Sequence, residues 1–146
     1  MDEGAAQVRA ARPGDGAQVW PLAREFATSF RPESSVFEAT FAALIRRHDT
    51  LVVVAETPGA GIVGYLLASS HGTFLANGPV AWIEELMVAP SARRSGVGRA
   101  LVEAAEEWAG RIPAAYIALA SRRAGHFYRR LAYQDSATYF RKDLAT

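Results

Sequence analysis

A loop of arginines and glycines is the clearest chemical feature of the sequence. Its residues precede an amphipathic segment and run Arg93, Arg94, Ser95, Gly96, Val97, Gly98. The first turn of a helix carries backbone N–H groups without intrahelical partners, together with the positive end of the helix dipole. Glycines let a ligand approach the backbone closely, and arginines add positive charge at the rim. The pattern predicts an anion site suited to a phosphate.

Two well-known phosphate-binding loops do not fit this stretch. A P-loop needs Lys and then Ser or Thr after its last glycine, where this chain has Arg99 and Ala100. A dinucleotide fingerprint needs a third glycine where Leu101 stands, and an acidic residue about 20 positions further on, and this chain has neither. Two interpretations stay open at this point: a pyrophosphate cradle for coenzyme A, and a plain glycine-rich turn with surface arginines.

Composition limits the class of protein. The chain has 146 residues, of which 50% are hydrophobic and 21% charged, with a net charge of +1. These values predict one globular domain over residues 1–146 and give no electrostatic reason to expect a nucleic acid or an anionic membrane as partner. The absence of cysteine excludes disulfides, thiolate metal sites and a cysteine nucleophile. No stretch has the apolar length of a signal peptide or a bilayer span, so we expect a cytoplasmic protein.

Hydrophobic periodicity predicts an α+β (mixed α/β) fold without regular strand–helix alternation. Predicted strands cover residues 6–11, 51–55, 62–69, 81–88, 115–120 and 137–144. Predicted helices cover 37–48, 98–109 and 124–131, and an earlier one follows Asp15, a candidate helix cap. Pro21 disfavours the middle of that first helix, so the helix either starts near Trp20 or kinks at the proline.

Two motifs in this order resemble the GNAT superfamily of acyl-CoA N-acyltransferases. The strand from Glu84 to Val88, the turn at Pro90, the glycine loop and the helix after it are similar to motif A of that family. The stretch FYRRLAY at residues 127–133 is similar to its motif B, F-Y-x-x-x-G-F. The resemblance extends over roughly residues 6–144. It implies a mostly antiparallel mixed sheet of about six strands flanked by about four helices, with two splayed parallel strands at the coenzyme site.

The resemblance also implies how acetyl-CoA binds as acyl-donor cosubstrate. Its pyrophosphate would sit on residues 93–98 and the helix start at Arg99. Its pantetheine arm would run along Leu86, Met87 and Val88, pairing with the backbone of about Met87 and Val88. An N–H near Val88 would polarise the thioester carbonyl. Ser121 stands where the family often has an asparagine that contacts the pantetheine.

Three side chains are candidates for proton transfer. Tyr128 matches the tyrosine that many family members use as general acid toward the departing thiolate. An ammonium acceptor must lose a proton before it attacks, and a carboxylate can accept that proton directly or through water. Glu84 and Glu85 lie on the strand leading to the acyl site, where alternation sends them to opposite faces. Analogy with the family favours Glu84, and a solvated pair of glutamates is the competing interpretation.

The acceptor is expected to be an amine, either a small molecule or a protein amine. The family builds this pocket from the first two helices and their connection, where Phe30 and Glu33 are candidate substrate contacts; core phenylalanines beside a surface loop are the alternative. The chain has no room for a long final hairpin, so the acceptor site is either open or completed by a second subunit, in a homodimer. Ala132 replaces the motif's glycine and is expected to alter the helix end. Three histidines, His48, His71 and His126, lack metal-ligand spacing, so no metal is assigned.

These features predict an acetyl-CoA-dependent N-acetyltransferase that transfers its acetyl group directly in a ternary complex. A coenzyme A-binding module without turnover, serving as sensor or partner domain, is the first alternative. A general nucleotide-binding protein that uses the same anion loop is the second.

Overall fold

The computed structural model describes residues 5–144, which form five strands and four α-helices. The strands are β1 Gln7–Ala10, β2 Thr50–Thr57, β3 Gly61–His71, β4 Val80–Val88 and β5 Ile117–Leu119. The helices are α1 Gly16–Phe26, α2 Ser34–Leu44, α3 Val97–Arg111 and α4 Gly125–Arg130. Short 3₁₀ turns at Pro13–Asp15 and Pro90–Ala92 precede α1 and α3.

The sheet has the spatial order β1-β2-β3-β4-β5, and only its last pair is parallel. Strands β1 to β4 pair with one another in antiparallel fashion. Strand β5 pairs with β4 only from Ala81 to Ile83, whereas β4 continues to Val88. The parallel strands therefore separate after residue 83, and the predicted mixed, mostly antiparallel α+β fold with splayed strands is confirmed.

Helices cover both faces of the sheet and create two apolar clusters. On one face, α3 and α4 bury the cluster around Val97, Leu101, Trp108 and Tyr128. On the other face, α1 and α2 bury a smaller cluster that includes Val19, Leu22, Phe41, Tyr65 and Met87. On α3 the buried residues Val97, Leu101, Ala105 and Trp108 recur at three- and four-residue spacing, because residues at that spacing share a helix face.

The predicted sixth strand at residues 137–144 is wrong. Residues 134–144 form neither helix nor strand, and Tyr139 and Phe140 are 58% and 87% exposed. An alternating sequence becomes a strand when one of its faces is buried and a neighbouring edge offers hydrogen bonds. Here two consecutive aromatic residues are both exposed, and the edge strand β5 is only three residues long.

The boundaries of the first two helices also differ from the expected ones. Helix α1 begins at Gly16, so a start near Trp20 is wrong, and Pro21 lies inside the helix. Proline forfeits one helical hydrogen bond, while the burial of Val19 and Leu22 against the sheet holds the helix in place. Helix α2 spans Ser34–Leu44 rather than residues 37–48, because the chain turns at 45–48 to enter β2.

A buried carboxylate fixes the entry to α1. Asp15 is 7% exposed and precedes the helix, yet its side chain makes no hydrogen bond to the helix N-terminus. It accepts hydrogen bonds from both terminal nitrogens of Arg9 on β1, at 2.7 and 3.0 Å, and from the backbone N–H of Arg12 at 2.7 Å. Arg9 also pairs with Glu56 on β2. This network joins β1, β2 and the turn before α1.

We expect Asp15→Asn to lower the free energy of unfolding by about 1–3 kcal/mol, because it removes one of the two carboxylate partners of the half-buried Arg9. Hydrogen bonds from Arg9 hold the pKa of Asp15 below its ordinary value. The difference in free energy of unfolding between the wild type and Asp15→Asn is therefore largest above the ordinary pKa of aspartate. It disappears as the pH falls through the lowered pKa of Asp15.

Urea unfolding at neutral and acidic pH tests this prediction. Asp49→Asn is the matched control, since Asp49 pairs with Arg47 at the surface and should matter little. Equal losses for the two variants, or a loss for Asp15→Asn that does not shrink in acid, would contradict the prediction.

Candidate active site

One cleft brings together most of the residues that the sequence marked for catalysis and acceptor binding. It has a volume of about 1190 Å³ and lies between the α1–α2 connection, strand β4, the loop from β5 to α4, and the C-terminal segment. Its lining includes the predicted site residues Phe30, Glu33, Glu84, Glu85, Leu86, Ser121 and Tyr128. The opening exists because β4 and β5 separate at Glu84.

A β-bulge in β4 changes how the two glutamates are presented. Glu85 lies opposite Leu67 and Ile83 opposite Ala68, so Glu84 is an extra residue without a partner on β3. A bulge interrupts the simple alternation of side chains. The expectation that Glu84 and Glu85 point to opposite faces is therefore wrong, and both line the same cleft.

The surroundings of Glu84 favour its protonated form. Partial burial and, next, the negative charge of Glu85 raise the pKa of Glu84 above its ordinary value, an effect that His71 and Ser69 partly oppose. A carboxylate with a raised pKa is a better proton acceptor near neutral pH. Glu84 also stays accessible to solvent, as a base that receives a proton from an incoming ligand must.

Tyr65 also lines the cleft, although its position in the sequence does not indicate this. It lies on β3, is 3% exposed, and its hydroxyl donates a hydrogen bond to Glu85 over 2.6 Å. Burial and the nearby carboxylate raise the pKa of Tyr65, so the hydroxyl keeps its proton. In the sequence Tyr65 is one apolar residue of a buried strand, and only the register of β3 against β4 shows its partner.

Tyr128 lies on α4 at the inner end of the cleft. Its ring packs edge-on against Phe127 and Tyr133, with centroid distances of 5.0 and 5.7 Å. Burial raises the pKa of Tyr128 to about 12. Among residues 5–144 its hydroxyl has no hydrogen-bond partner, so it remains free to donate to a ligand.

The glycine loop has the geometry of an anion cradle at the N-terminus of α3. Gly96 precedes the helix with φ of 86°, and Arg94 also has a positive φ, of 65°. No side chain caps the helix, and its first turn contains no acidic residue. Backbone N–H groups of Val97 and Gly98 are therefore available at the positive end of the helix dipole.

Other residues of the loop have structural contacts of their own. Ser95 donates its hydroxyl to the carbonyl of Ala92, and Arg99 pairs with Glu103 one turn along α3. A Cβ at Gly98 would lie 3.3 Å from the ring of Phe127, a tight contact that glycine avoids. Arg93 turns back, and its Nε donates to the Val88 carbonyl over 3.0 Å.

The edge of β4 beyond residue 83 offers backbone hydrogen-bonding groups. The N–H of Ala89 donates to the carbonyl of Val63 over 2.7 Å, with Val88 opposite Gly64. In an antiparallel pair the backbone groups of successive residues point to alternate sides. The backbone N–H and C=O groups of Met87 therefore face β3, so the expected pairing of Met87 with the pantetheine arm is wrong. Leu86 and Val88 present their N–H groups to the gap.

The acceptor side of the cleft combines aromatic and charged groups. Phe30 is 66% exposed, and the guanidinium of Arg141 lies 5.8 Å from the centre of its ring. Glu33 precedes the first turn of α2. Tyr139 and Arg141 of the C-terminal segment also line the cleft, which the predicted final strand did not suggest. Ser121 accepts the Ala124 N–H at 2.9 Å and so shapes the loop before α4.

Two further observations concern the described residues as a whole. Between residues 5 and 144, no three His, Asp or Glu side chains are grouped as metal ligands would be. The same part of the chain has no helix that is long and apolar enough to cross a membrane.

Comparison with known proteins identifies the family. The sequence profile of the Acetyltransferase (GNAT) family matches residues 17–133. The chain belongs to the GNAT family of acetyltransferases. It is 25% identical over 138 residues to the uncharacterized N-acetyltransferase YhfO of Bacillus subtilis. The aligned region covers 90% of this chain and 92% of that protein.

Two further proteins are similar to this GNAT chain, one over a short segment of sequence and one in fold. A segment of 60 residues is 43% identical to the aminoglycoside N(6')-acetyltransferase type 1 of Klebsiella aerogenes and covers 40% of each protein. The crystal structure of glucosamine-6-phosphate N-acetyltransferase from Arabidopsis thaliana has a TM-score of 0.85 at 16% identity, over 96% of this chain and 99% of that chain. The second likeness shows a shared fold, and the predicted family and enzyme class are confirmed.

The end of α4, which carries Tyr128, contains a strained alanine. Ala132 has φ of 70°, the Tyr133 N–H donates to the Tyr128 carbonyl, and the Ala132 N–H donates to the Arg129 carbonyl. These two bonds form a Schellman motif, whose left-handed position normally holds glycine. Instead of avoiding the positive φ, Ala132 adopts it, and the helix end keeps its shape.

We expect Ala132→Gly to raise the free energy of unfolding by about 1 kcal/mol, because it relieves the left-handed strain of a Cβ. Ala39→Gly is the matched control: Ala39 lies exposed inside α2, where the same change should cost about 1 kcal/mol. Urea unfolding of both variants measures the two effects, and destabilisation by Ala132→Gly would show that the alanine is not strained.

Proposed function

We propose that this GNAT enzyme transfers the acetyl group of acetyl-CoA to a primary amine by direct attack within a ternary complex. The separation of β4 from β5 at Glu84 is the observation that carries the proposal. At one place it exposes a strand edge with unpaired backbone groups and opens a cleft lined by two glutamates and Tyr128. Strand edge, anion cradle and cleft are the three features that an acyl-CoA and an amine acceptor would require.

The chain's own residues fit acetyl-CoA at two points. The N–H groups at the start of α3, with Arg93 and Arg94, would hold the pyrophosphate. The backbone of Leu86 and Val88 would pair with the amides of the pantetheine arm, as an added strand pairs with a sheet edge. Arg93 now donates to the Val88 carbonyl, so its side chain would have to release that carbonyl if the pantetheine used it.

Acetyl-CoA supplies an acetyl group activated as a thioester. The amine nitrogen forms the new C–N bond, the C–S bond breaks, and the sulfur leaves as the thiolate of coenzyme A. The second proton that the nitrogen loses on becoming an amide passes through water to this thiolate and gives the free thiol. Glu84 would take the proton that the ammonium must lose, directly or through water. A free N–H on the edge of β4, at Leu86 or Val88, would polarise the carbonyl. None of these steps needs a covalent acyl-enzyme, in agreement with a chain that contains no cysteine.

Tyr128 would act by donating a hydrogen bond to the departing sulfur. A coenzyme thiol has a pKa of about 8.5, whereas that of Tyr128 is about 12. Complete proton transfer from the phenol to the thiolate would therefore be uphill. Stabilisation of the developing thiolate by a charge-assisted hydrogen bond is the role that these pKa values support.

The cleft favours an acceptor that combines an ammonium group with an apolar body. Carboxylates of Glu84 and Glu85 would attract the ammonium. Aromatic side chains supply the apolar surface, and the cleft lining includes Phe26, Phe30, Phe37, Trp82 and Tyr139. The relatives named for aminoglycosides and glucosamine-6-phosphate act on amino sugars, so an aminoglycoside is the natural comparison compound.

Release of coenzyme A with four acceptors tests the function: phenethylamine, spermidine, kanamycin and a short peptide with a free N-terminus. Because the chain has no cysteine, a thiol reagent reports only the released coenzyme. We expect amine-dependent release, with the highest kcat/KM for phenethylamine. Coenzyme binding without release for any amine would favour the non-catalytic sensor instead, and equal stabilisation by ATP or NAD would favour a general nucleotide site.

Tyr128→Phe should lower kcat by about 10- to 100-fold, the value of one hydrogen bond to a charged group. The dissociation constant of acetyl-CoA should stay unchanged, because the ring contacts remain. Calorimetric titration with acetyl-CoA, run beside the kinetic assay, separates chemistry from binding. An unchanged kcat would remove Tyr128 from the mechanism.

The pH dependence of kcat identifies the base. As the pH falls, kcat should decline through the pKa of Glu84, which lies above the ordinary glutamate value, because the base must be deprotonated. Glu84→Gln should lower kcat by about 10²- to 10⁴-fold and remove this acidic decline. A variant that keeps the decline would assign it to another group.

A further inference from the structure

The hydrogen bond between Tyr65 and Glu85 separates the two glutamates of the cleft chemically. Tyr65 is almost fully buried on β3, and its hydroxyl reaches the Glu85 carboxylate over 2.6 Å. This distance is that of a strong O–H···O⁻ bond. Glu84 stands beside it on the bulge and stays accessible to solvent, and the side-chain donor that acts on it, Ser69, is only half-buried. The two neighbouring carboxylates are therefore held differently.

A carboxylate held by a buried donor and a more exposed carboxylate suit different tasks. Ammonium binding requires an anion whose position is already set, so that little side-chain entropy is lost when the ligand arrives. One Glu85 oxygen accepts the Tyr65 hydroxyl, and a carboxylate offers further acceptor sites on its two oxygens. A proton acceptor should be a group whose negative charge is unfavourable where it stands. Glu84, beside a second negative charge, is such a group.

Resting on the proposed function, we infer that Tyr65 is a positioning residue that fixes Glu85 as the carboxylate that binds the acceptor's ammonium, while Glu84 acts as the base. The structure supplies the arrangement through two features: the register that places Tyr65 beside Met87 and within reach of Glu85, and the bulge that turns Glu84 into the same cleft. This arrangement would bind a cationic amine as acceptor in preference to a neutral molecule of the same shape.

Other ionisable groups also lie around the two glutamates. The Tyr65 hydroxyl stays protonated because burial and Glu85 both raise its pKa, so it remains a donor across the working pH range. His71 at the end of β3 acts on Glu84 through its charge. The remaining charged or titratable groups of the cleft are Glu33, Arg122, Arg123, Tyr128, Tyr139 and Arg141.

A double-mutant cycle tests the inference with Tyr65→Phe, Glu85→Gln and the combined variant. The kinetic probe is phenethylamine, or whichever of the other three amines the wild type acetylates fastest. We expect Tyr65→Phe to raise KM for the amine about tenfold, as expected for a hydrogen bond to a charged group, with kcat changed less than about threefold. The combined variant should be no worse than Glu85→Gln alone, because both changes disable the same contact.

A neutral ligand of the same shape separates positioning from general damage. With phenethylamine as acceptor, 2-phenylethanol is the matched competitive inhibitor, and its inhibition constant should be the same in the wild type and in Tyr65→Phe. Tyr116→Phe is the control variant, since Tyr116 lies outside the cleft and is 47% exposed. It should leave KM and kcat unchanged.

Any of the following outcomes would overturn the inference. Multiplicative effects of the two single substitutions would show that Tyr65 and Glu85 act independently, and equal weakening of amine and alcohol would reduce Tyr65 to a core residue. A fall in kcat without a rise in KM would place Glu85 in the chemical step. Failure of the proposed function looks different: the wild type itself would release no coenzyme with any of the four amines, and the inference would fall with it.

Discussion

The separation of β4 from β5 after residue 83 is the geometric constraint on which the site depends. Strand β5 stops at Leu119, and β4 continues for five more residues with one edge unpaired. In a closed sheet the backbone groups of Leu86 and Val88 would be satisfied by a neighbouring strand. An unpaired strand edge is a binding surface for anything that presents amides in extended form. The same separation leaves the volume that the cleft occupies.

The bulge at Glu84 acts together with this separation. By interrupting the alternation of β4, it directs two consecutive carboxylates into one cleft instead of dividing them between the faces of the sheet. Two like charges at short distance are unfavourable unless their surroundings treat them differently. Here a buried tyrosine donates to one carboxylate, while the other stays near solvent with a raised pKa.

The coenzyme side of the molecule relies on backbone geometry more than on side chains. Gly96 at φ of 86° ends the loop and leaves the start of α3 uncapped. Arg93 and Arg99 both have partners within the chain, the Val88 carbonyl and Glu103. The positive end of the helix and its free N–H groups therefore provide an attraction for an anion that does not depend on either side chain.

The sequence by itself determined the class of fold, the position of the glycine loop and the helix that follows it. These features depend on local rules: apolar residues at helical spacing, glycine at a positive φ, and the motif around Tyr128. Long buried strands such as β3 and β4 were also evident, because a run of β-branched and apolar residues bounded by turn residues has few alternatives. The final segment showed the limit of such rules, since alternation in residues 137–144 says nothing about whether a paired edge is available.

Only the tertiary structure decided the register of β3 against β4, and with it the bulge at Glu84 and the contact between Tyr65 and Glu85. A shift of one residue in that register would send each of these side chains to the other face. The register reflects packing on both faces of the sheet at once, against α1 and α2 on one side and α3 on the other. No local pattern in the sequence contains that information, because the partners are twenty residues apart and meet only through the fold.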